Sequence, residues 1–192
     1  MPCLGTYPAP VGAWSFTHVM KPLEKSDSFH LQMAIGWLGL GNHLEAKREL
    51  ENITPESLVD PDVLRARWLV YAEAEKWDLA LEIARALVQI APDYPNGWIK
   101  QALSLRYIPG AGAEQAWNAL LPVANKFPLE PEIPYDLACY ATQIGKFTEA
   151  KDWLRRAFAV GDADAIKRKA LKDPDLDPLW NEIGKALSLR EG

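Results

Sequence analysis

Apolar and small positions in this chain recur on two scales. Within segments of a dozen or so residues they return every three or four positions, the spacing of one face of an α-helix. The segments themselves return about every 34 residues: Ala46, Ala80, Ala116 and Ala150 each stand early in an amphipathic stretch, 34, 36 and 34 residues apart. A second series precedes them, with Ala34 and Ala138 twelve residues before Ala46 and Ala150, and Ala102 fourteen before Ala116. Trp68, twelve before Ala80, is the one member of that series that is not small. Small residues on two consecutive helices let their backbones approach closely, so each period predicts an antiparallel helical hairpin. No segment predicts a strand.

Breaker residues fall where hairpin turns are required. Gly41-Asn42, Pro109 to Gly112 and Gly145-Lys146 are turn signals, whereas the second turn, near Glu75-Lys76, has none. The third turn carries two extra residues. Helix starts are marked by Asp60-Pro61-Asp62, which offers an N-cap with Pro in the first turn, and by Pro95 and Pro131, 34 and 36 residues after Pro61. Pro92 and Pro128 follow the ends of second helices. Asn42 with Glu45 three residues on resembles a capping box.

On these residues the chain resembles the tetratricopeptide repeat (TPR) family. The matching features are a small residue in each first helix, an aromatic at its far end (Trp37, Tyr71), a Gly near the turn, a further aromatic (Trp77, Phe147), an Ala and a closing Pro; Trp98 also fits the family pattern. Repeats are assigned to 27–60, 61–94, 95–130 and 131–162. Trp68 in place of a small residue, His43 in place of an aromatic, Pro134 and the two-residue insertion depart from the pattern. The resemblance implies an all-α, right-handed superhelical solenoid of about four hairpins.

Residues outside the repeats carry their own signals. Leu179, Trp180, Ile183 and Leu187 fall on one face of a segment from Asp177 to Leu189, preceded by a short helix over 162–172, and predict a cap over the last repeat. Residues 1–26 form an irregular segment rich in Pro, yet they hold Tyr7, Trp14 and Phe16. This composition predicts that the segment docks, in the chain's own groove or in that of a second copy.

Composition narrows the function. The chain is 48% hydrophobic and 24% charged, with 21 Lys and Arg against 26 Asp and Glu and a formal net charge of -5. This excludes a disordered chain and argues against a nucleic-acid or membrane partner, both of which call for a basic field. Two cysteines, Cys3 and Cys139, are too few for a disulfide framework, and no run near the start suits a signal peptide. A cytoplasmic location is expected.

Candidate chemistry is sparse. His18, His30 and His43 lack zinc-ligand spacing; Gly110-Ala111-Gly112 lacks the strand and third Gly of a dinucleotide loop; Cys139 lies among apolar neighbours. Asp173, Asp175 and Asp177 read as loop and cap residues beside Pro174 and Pro178. Neither an enzyme, a cofactor nor a metal is expected. The resemblance implies instead a groove lined by the first helices, which binds a protein or peptide segment. Its candidate residues are Gln32, Ile35 and Gly39; Arg65, Leu69, Ala72 and Glu73; Asn96, Ile99, Lys100, Leu103 and Arg106; and Tyr135, Asp136, Cys139 and Gln143. The clamp with which some relatives grip a C-terminal carboxylate is absent in either register. The alternative is a subunit that self-associates, as a homodimer or larger assembly.

Overall fold

The computed structural model describes residues 22–188, with side chains through residue 184. Tyr7, Trp14, Phe16 and the side chain of Leu187 lie outside the described residues, and with them the expectation that the N-terminal segment docks.

Among the described residues the chain is helical and has no strand. Four antiparallel hairpins follow one another: α1 (Lys25–Gly39) with α2 (His43–Glu51), α3 (Pro61–Glu73) with α4 (Trp77–Ile90), α5 (Pro95–Tyr107) with α6 (Ala113–Leu120), and α7 (Glu132–Gln143) with α8 (Phe147–Val160). Each second helix also packs on the first helix of the next hairpin, and α1 meets α3 as α5 meets α7. The result is a stack in which the first helices stand side by side. Stability in such a stack comes from neighbour-to-neighbour contacts.

The alanines of both series explain the close packing. Ala34, Ala46, Ala80, Ala102, Ala116, Ala138 and Ala150 all have no exposed surface. Gly97 serves a similar end between α4 and α5, since a Cβ there would lie 3.2 Å from the Val88 side chain and backbone nitrogen. Trp68 occupies its small-residue position without exposure because its surroundings are small: Ala72, Ala80 and Ala84 form the buried cluster around it. Its indole N–H donates to Ser104 Oγ at 2.9 Å, and that hydroxyl donates to the Lys100 carbonyl oxygen at 2.8 Å. The bulk of one side chain is thus offset by alanines on the facing helix.

Three of the hairpin turns share one geometry. The N–H groups of Asn42, Lys76 and Lys146 donate to the carbonyls of Trp37, Tyr71 and Ala141, five residues back, at 2.8–2.9 Å. This is the Schellman closure, whose penultimate residue takes a left-handed backbone. Gly41 (φ 71°) and Gly145 (φ 77°) supply it, but in the second turn Glu75 does so at φ 55°. The turn without a sequence signal therefore has the same shape as its siblings, held by the hydrogen bonds rather than by glycine.

Helix ends follow the expected caps with one change. Asp60 Oδ1 accepts from the N–H groups of Asp62 and Val63, and Asn42 Oδ1 accepts from that of Glu45. The reciprocal half of the capping box does not form, because Glu45 pairs with Arg48 at 2.5 Å instead. The helix α6 ends early: Pro122 has no N–H to continue the ladder, and Leu121–Val123 tightens into a 3-10 turn.

After α8 the chain forms α9 (Ala163–Ala170), a 3-10 segment (Pro174–Leu179) and α10 (Trp180–Ser188). The final helix starts three residues later than the sequence suggests, where Pro174 and Pro178 shape the preceding segment. Leu176, Leu179 and Ile183 are buried in the core of α7 and α8, and the Trp180 indole donates to the carbonyls of Ala170 at 2.9 Å and Asp173 at 3.2 Å. Lys151 of α8 pairs with Glu182 of α10 at 2.6 Å. The C-terminal helix caps the fourth hairpin.

Candidate functional site: the face of the first helices

The helices α1, α3, α5 and α7 place the candidate residues in three settings. Gln32 and Ile35 of α1 and Glu73 of α3 are exposed, Ile35 with 45% of its surface. Gly39 is exposed at the end of α1. Arg65, Leu69, Asn96 and Leu103 are half-buried; Leu69 and Leu103 lie against the Trp68 cluster, and Arg65 pairs with Asp62 at 3.3 Å. Ala72 and Ile99 belong to the core and offer nothing to a partner.

Titratable groups from three helices converge in the middle of this face. Lys100 of α5 is buried, with its ammonium 4.0 Å from the Trp68 ring centroid. Burial lowers its pKa to about 8, partly countered by Glu132 and Asp136 of α7, while Arg65 of α3 lowers it further. The Asp136 carboxyl is pushed up to about 8, chiefly by burial and then by Glu132 and Asp173, against the pull of Lys169 and Arg106. Arg65, Lys100, Glu132 and Asp136 thus form one electrostatic group spanning three hairpins. Of these, sequence reasoning gave Arg65, Lys100 and Asp136 as groove candidates and left out Glu132, although it lies one helical turn before Asp136.

The fourth hairpin is different, because the chain covers it with its own C-terminal segment. The Tyr135 hydroxyl donates to Asp173 Oδ2 at 2.8 Å, and the Cys139 thiol lies 3.7 Å from the same oxygen. Arg106 Nη2 donates to Asp175 Oδ1 at 2.5 Å, and Gln143 Nε2 donates to the Asp175 carbonyl at 3.2 Å. Tyr135 is buried, and Lys169 of α9 lies 3.9 Å from its ring centroid. Four candidate residues of the fourth hairpin and of the end of α5 therefore contact residues 173–175, although Gln143 also remains exposed. Asp173 does cap, as its Oδ1 accepts from the Asp175 N–H at 3.0 Å, but its other oxygen ties the segment to α7. The sequence reads Asp173 and Asp175 only as loop and cap residues; the docking place of the segment had no local signal.

Cys139, Asp173 and Asp175 offer donor atoms within 4.8 Å of one another. The set does not suit a cation. Arg106 already neutralises Asp175, the Tyr135 hydroxyl takes Asp173, and burial with the nearby carboxylates holds the Cys139 thiol in its protonated form. These groups form a hydrogen-bonded latch. Elsewhere, a cleft of about 200 Å³ between the first and second hairpins is lined by Leu50, Ile53, Leu58, Val70 and Tyr71 with Lys47 and Arg67. It contains none of the candidate groove residues.

Comparison with known proteins gives the fold. No family model matches the sequence. The structure resembles TTC0263, a thermophilic TPR protein of Thermus thermophilus, with a TM-score of 0.67 and 20% identity over 83% of this chain and 84% of that one. It also resembles MamA AMB-1, with a TM-score of 0.56 and 20% identity over 86% of this chain and 92% of that one, and MamA MSR-1, with a TM-score of 0.56 and 17% identity over 72% and 78%. In sequence it is 24% identical over 163 residues to the peroxisomal targeting signal receptor of Eremothecium gossypii. That match takes in 81% of this chain but 26% of the receptor, so the chain spans about a quarter of its relative's length. The chain has the tetratricopeptide repeat fold.

Proposed function

We propose that this TPR solenoid is a non-enzymatic protein-interaction module, which holds an extended or helical segment of a partner protein on the face made by α1, α3 and α5. The observation that carries this reading is the electrostatic coupling of Lys100 on α5 to Arg65 on α3 and to Glu132 and Asp136 on α7, along the same run of first helices that leaves Gln32, Ile35 and Glu73 exposed. A mixed charged and apolar face on side-by-side helices offers a peptide both apolar contacts and registering ion pairs. Similarity to TPR folds and to a stretch of a targeting-signal receptor supports the same reading. Among the described residues no helix is long and apolar enough to cross a membrane.

Charge reversal at Arg65 tests the proposal, since Arg65 is partly exposed and Lys100 is too buried to reverse without unfolding the chain. Affinity capture from native extract should lose its specific partner when Arg65→Glu is combined with Glu73→Lys. An unchanged set of captured proteins would refute it. Self-association is the second reading, favoured by Phe29 and Met33 on α1, Leu40 just after it and Leu44 on α2, which are 57%, 38%, 77% and 62% exposed. Under that reading the mass in solution rises with concentration, and Phe29→Lys abolishes the rise; a concentration-independent monomer excludes it.

A further inference from the structure

The contacts of residues 173–175 have the form of a bound peptide. An acidic segment, in which Asp173 caps the 3-10 turn begun by Pro174 and Asp175, lies across α7 and the end of α5, with one carboxylate on Arg106, another on the Tyr135 hydroxyl, and a backbone carbonyl on Gln143. Arg106 is 13% exposed and uses a single nitrogen on Asp175. Its Nε and Nη1 are buried without an acceptor among the described residues. A guanidinium held in this way is under-used, because it can take a carboxylate through two parallel N–H groups. The strap also forces its two acids together: Asp173 raises the pKa of both Asp175 and Asp136. Leu171, Lys172 and Pro174 around them are exposed, whereas Leu176 is anchored in the core. Lifting the short acidic stretch costs the Trp180 contact to the Asp173 carbonyl, while buried Leu176 and the Trp180 bond to Ala170 keep the cap in place.

We propose that Arg106, Gln143 and Tyr135 form a subsite for an acidic segment of the partner, and that the chain's own Asp173–Asp175 strap occupies it until the partner replaces it. The proposal rests on the groove reading for its partner, but the strap itself is testable without one. A partner carboxylate enters where Asp175 now sits and engages Arg106 through two nitrogens. Displacement makes the solenoid's working groove one hairpin longer than its resting one. Specificity follows, since a neutral or basic segment cannot compete with Asp175 for Arg106.

Cys139 beneath Asp173 reports on the strap. The full chain carrying Cys3→Ser has one thiol, and its rate of modification by a small thiol reagent measures how often the strap lifts. Adding Asp175→Ala should raise that rate at least tenfold with unchanged helical circular dichroism; Gln143→Ala is the milder companion should Asp175→Ala fail to fold. A synthetic peptide with the sequence of residues 172–179 should then slow modification back toward the starting rate. The same peptide with Asn in place of its aspartates should not, and Arg106→Gln should abolish the protection. A rate unaffected by both strap variants would overturn the displaceable strap. A raised rate that the acidic peptide fails to slow would overturn the acidic subsite. Neither result bears on the Arg65 face, which is tested by its own charge reversal.

Discussion

Trp68 shows how one residue is made to fit. It stands where the other hairpins have alanine, and the structure accommodates it with alanines on α4 and a single hydrogen-bond acceptor on α5. A buried indole N–H without its acceptor costs ~1–3 kcal/mol. Ser104→Ala should therefore destabilise by that amount, read as a lower denaturant midpoint with an unchanged slope; no loss would mean the bond contributes nothing. Asp136 makes a second prediction at this scale. Its carboxyl is raised from 3.8 to about 8, so the folded chain holds a proton that the unfolded chain has lost between those values. The contribution of Asp136 to stability is thus fully present at the acid side and falls as pH rises toward 8. Asp136→Asn should flatten stability against pH over this window, measured by urea unfolding at several pH values; an identical decline in the variant would contradict the assignment.

At the scale of the elements, the sequence was most informative where packing is periodic. Buried alanines at 34- to 36-residue intervals specify hairpins because no larger side chain fits between helices in contact, Trp68 aside. Ala150, fully buried between α7 and α8, should tolerate Leu poorly, at a cost of ~1–3 kcal/mol from overpacking. A thermal midpoint unchanged by Ala150→Leu would argue against the hairpin contact. Less legible were features fixed by single backbone groups. The second turn lacks a glycine because the closing hydrogen bond from Lys76 to Tyr71 can hold Glu75 in a left-handed backbone. The early end of α6 follows from Pro122, a residue whose effect is local and whose consequence, a 3-10 turn, has no periodic signature.

At the scale of the whole molecule, the face of the first helices is divided. Its first three hairpins carry the open candidates, and its end is filled by the chain's own acids. The resemblance to the repeat family gave Arg65, Lys100, Arg106, Tyr135 and Asp136 as one surface, because it assigns the first helix of each repeat to the groove. It did not show that Tyr135 and Arg106 are already engaged, since their partners lie 38 and 69 residues further along the chain. Long-range contacts of this kind depend on how the cap folds back, and no local pattern encodes that. On the proposed function the open part of this face holds the partner. Photo-crosslinking tests it most directly, with a crosslinking side chain placed in turn at Ile35 and Glu73 on the first helices and at Glu82 and Arg85 on α4, all exposed positions. Partner adducts should form at Ile35 and Glu73 and be lost in the Arg65→Glu background. Adducts confined to Glu82 and Arg85, or equal at all four positions, would contradict the account.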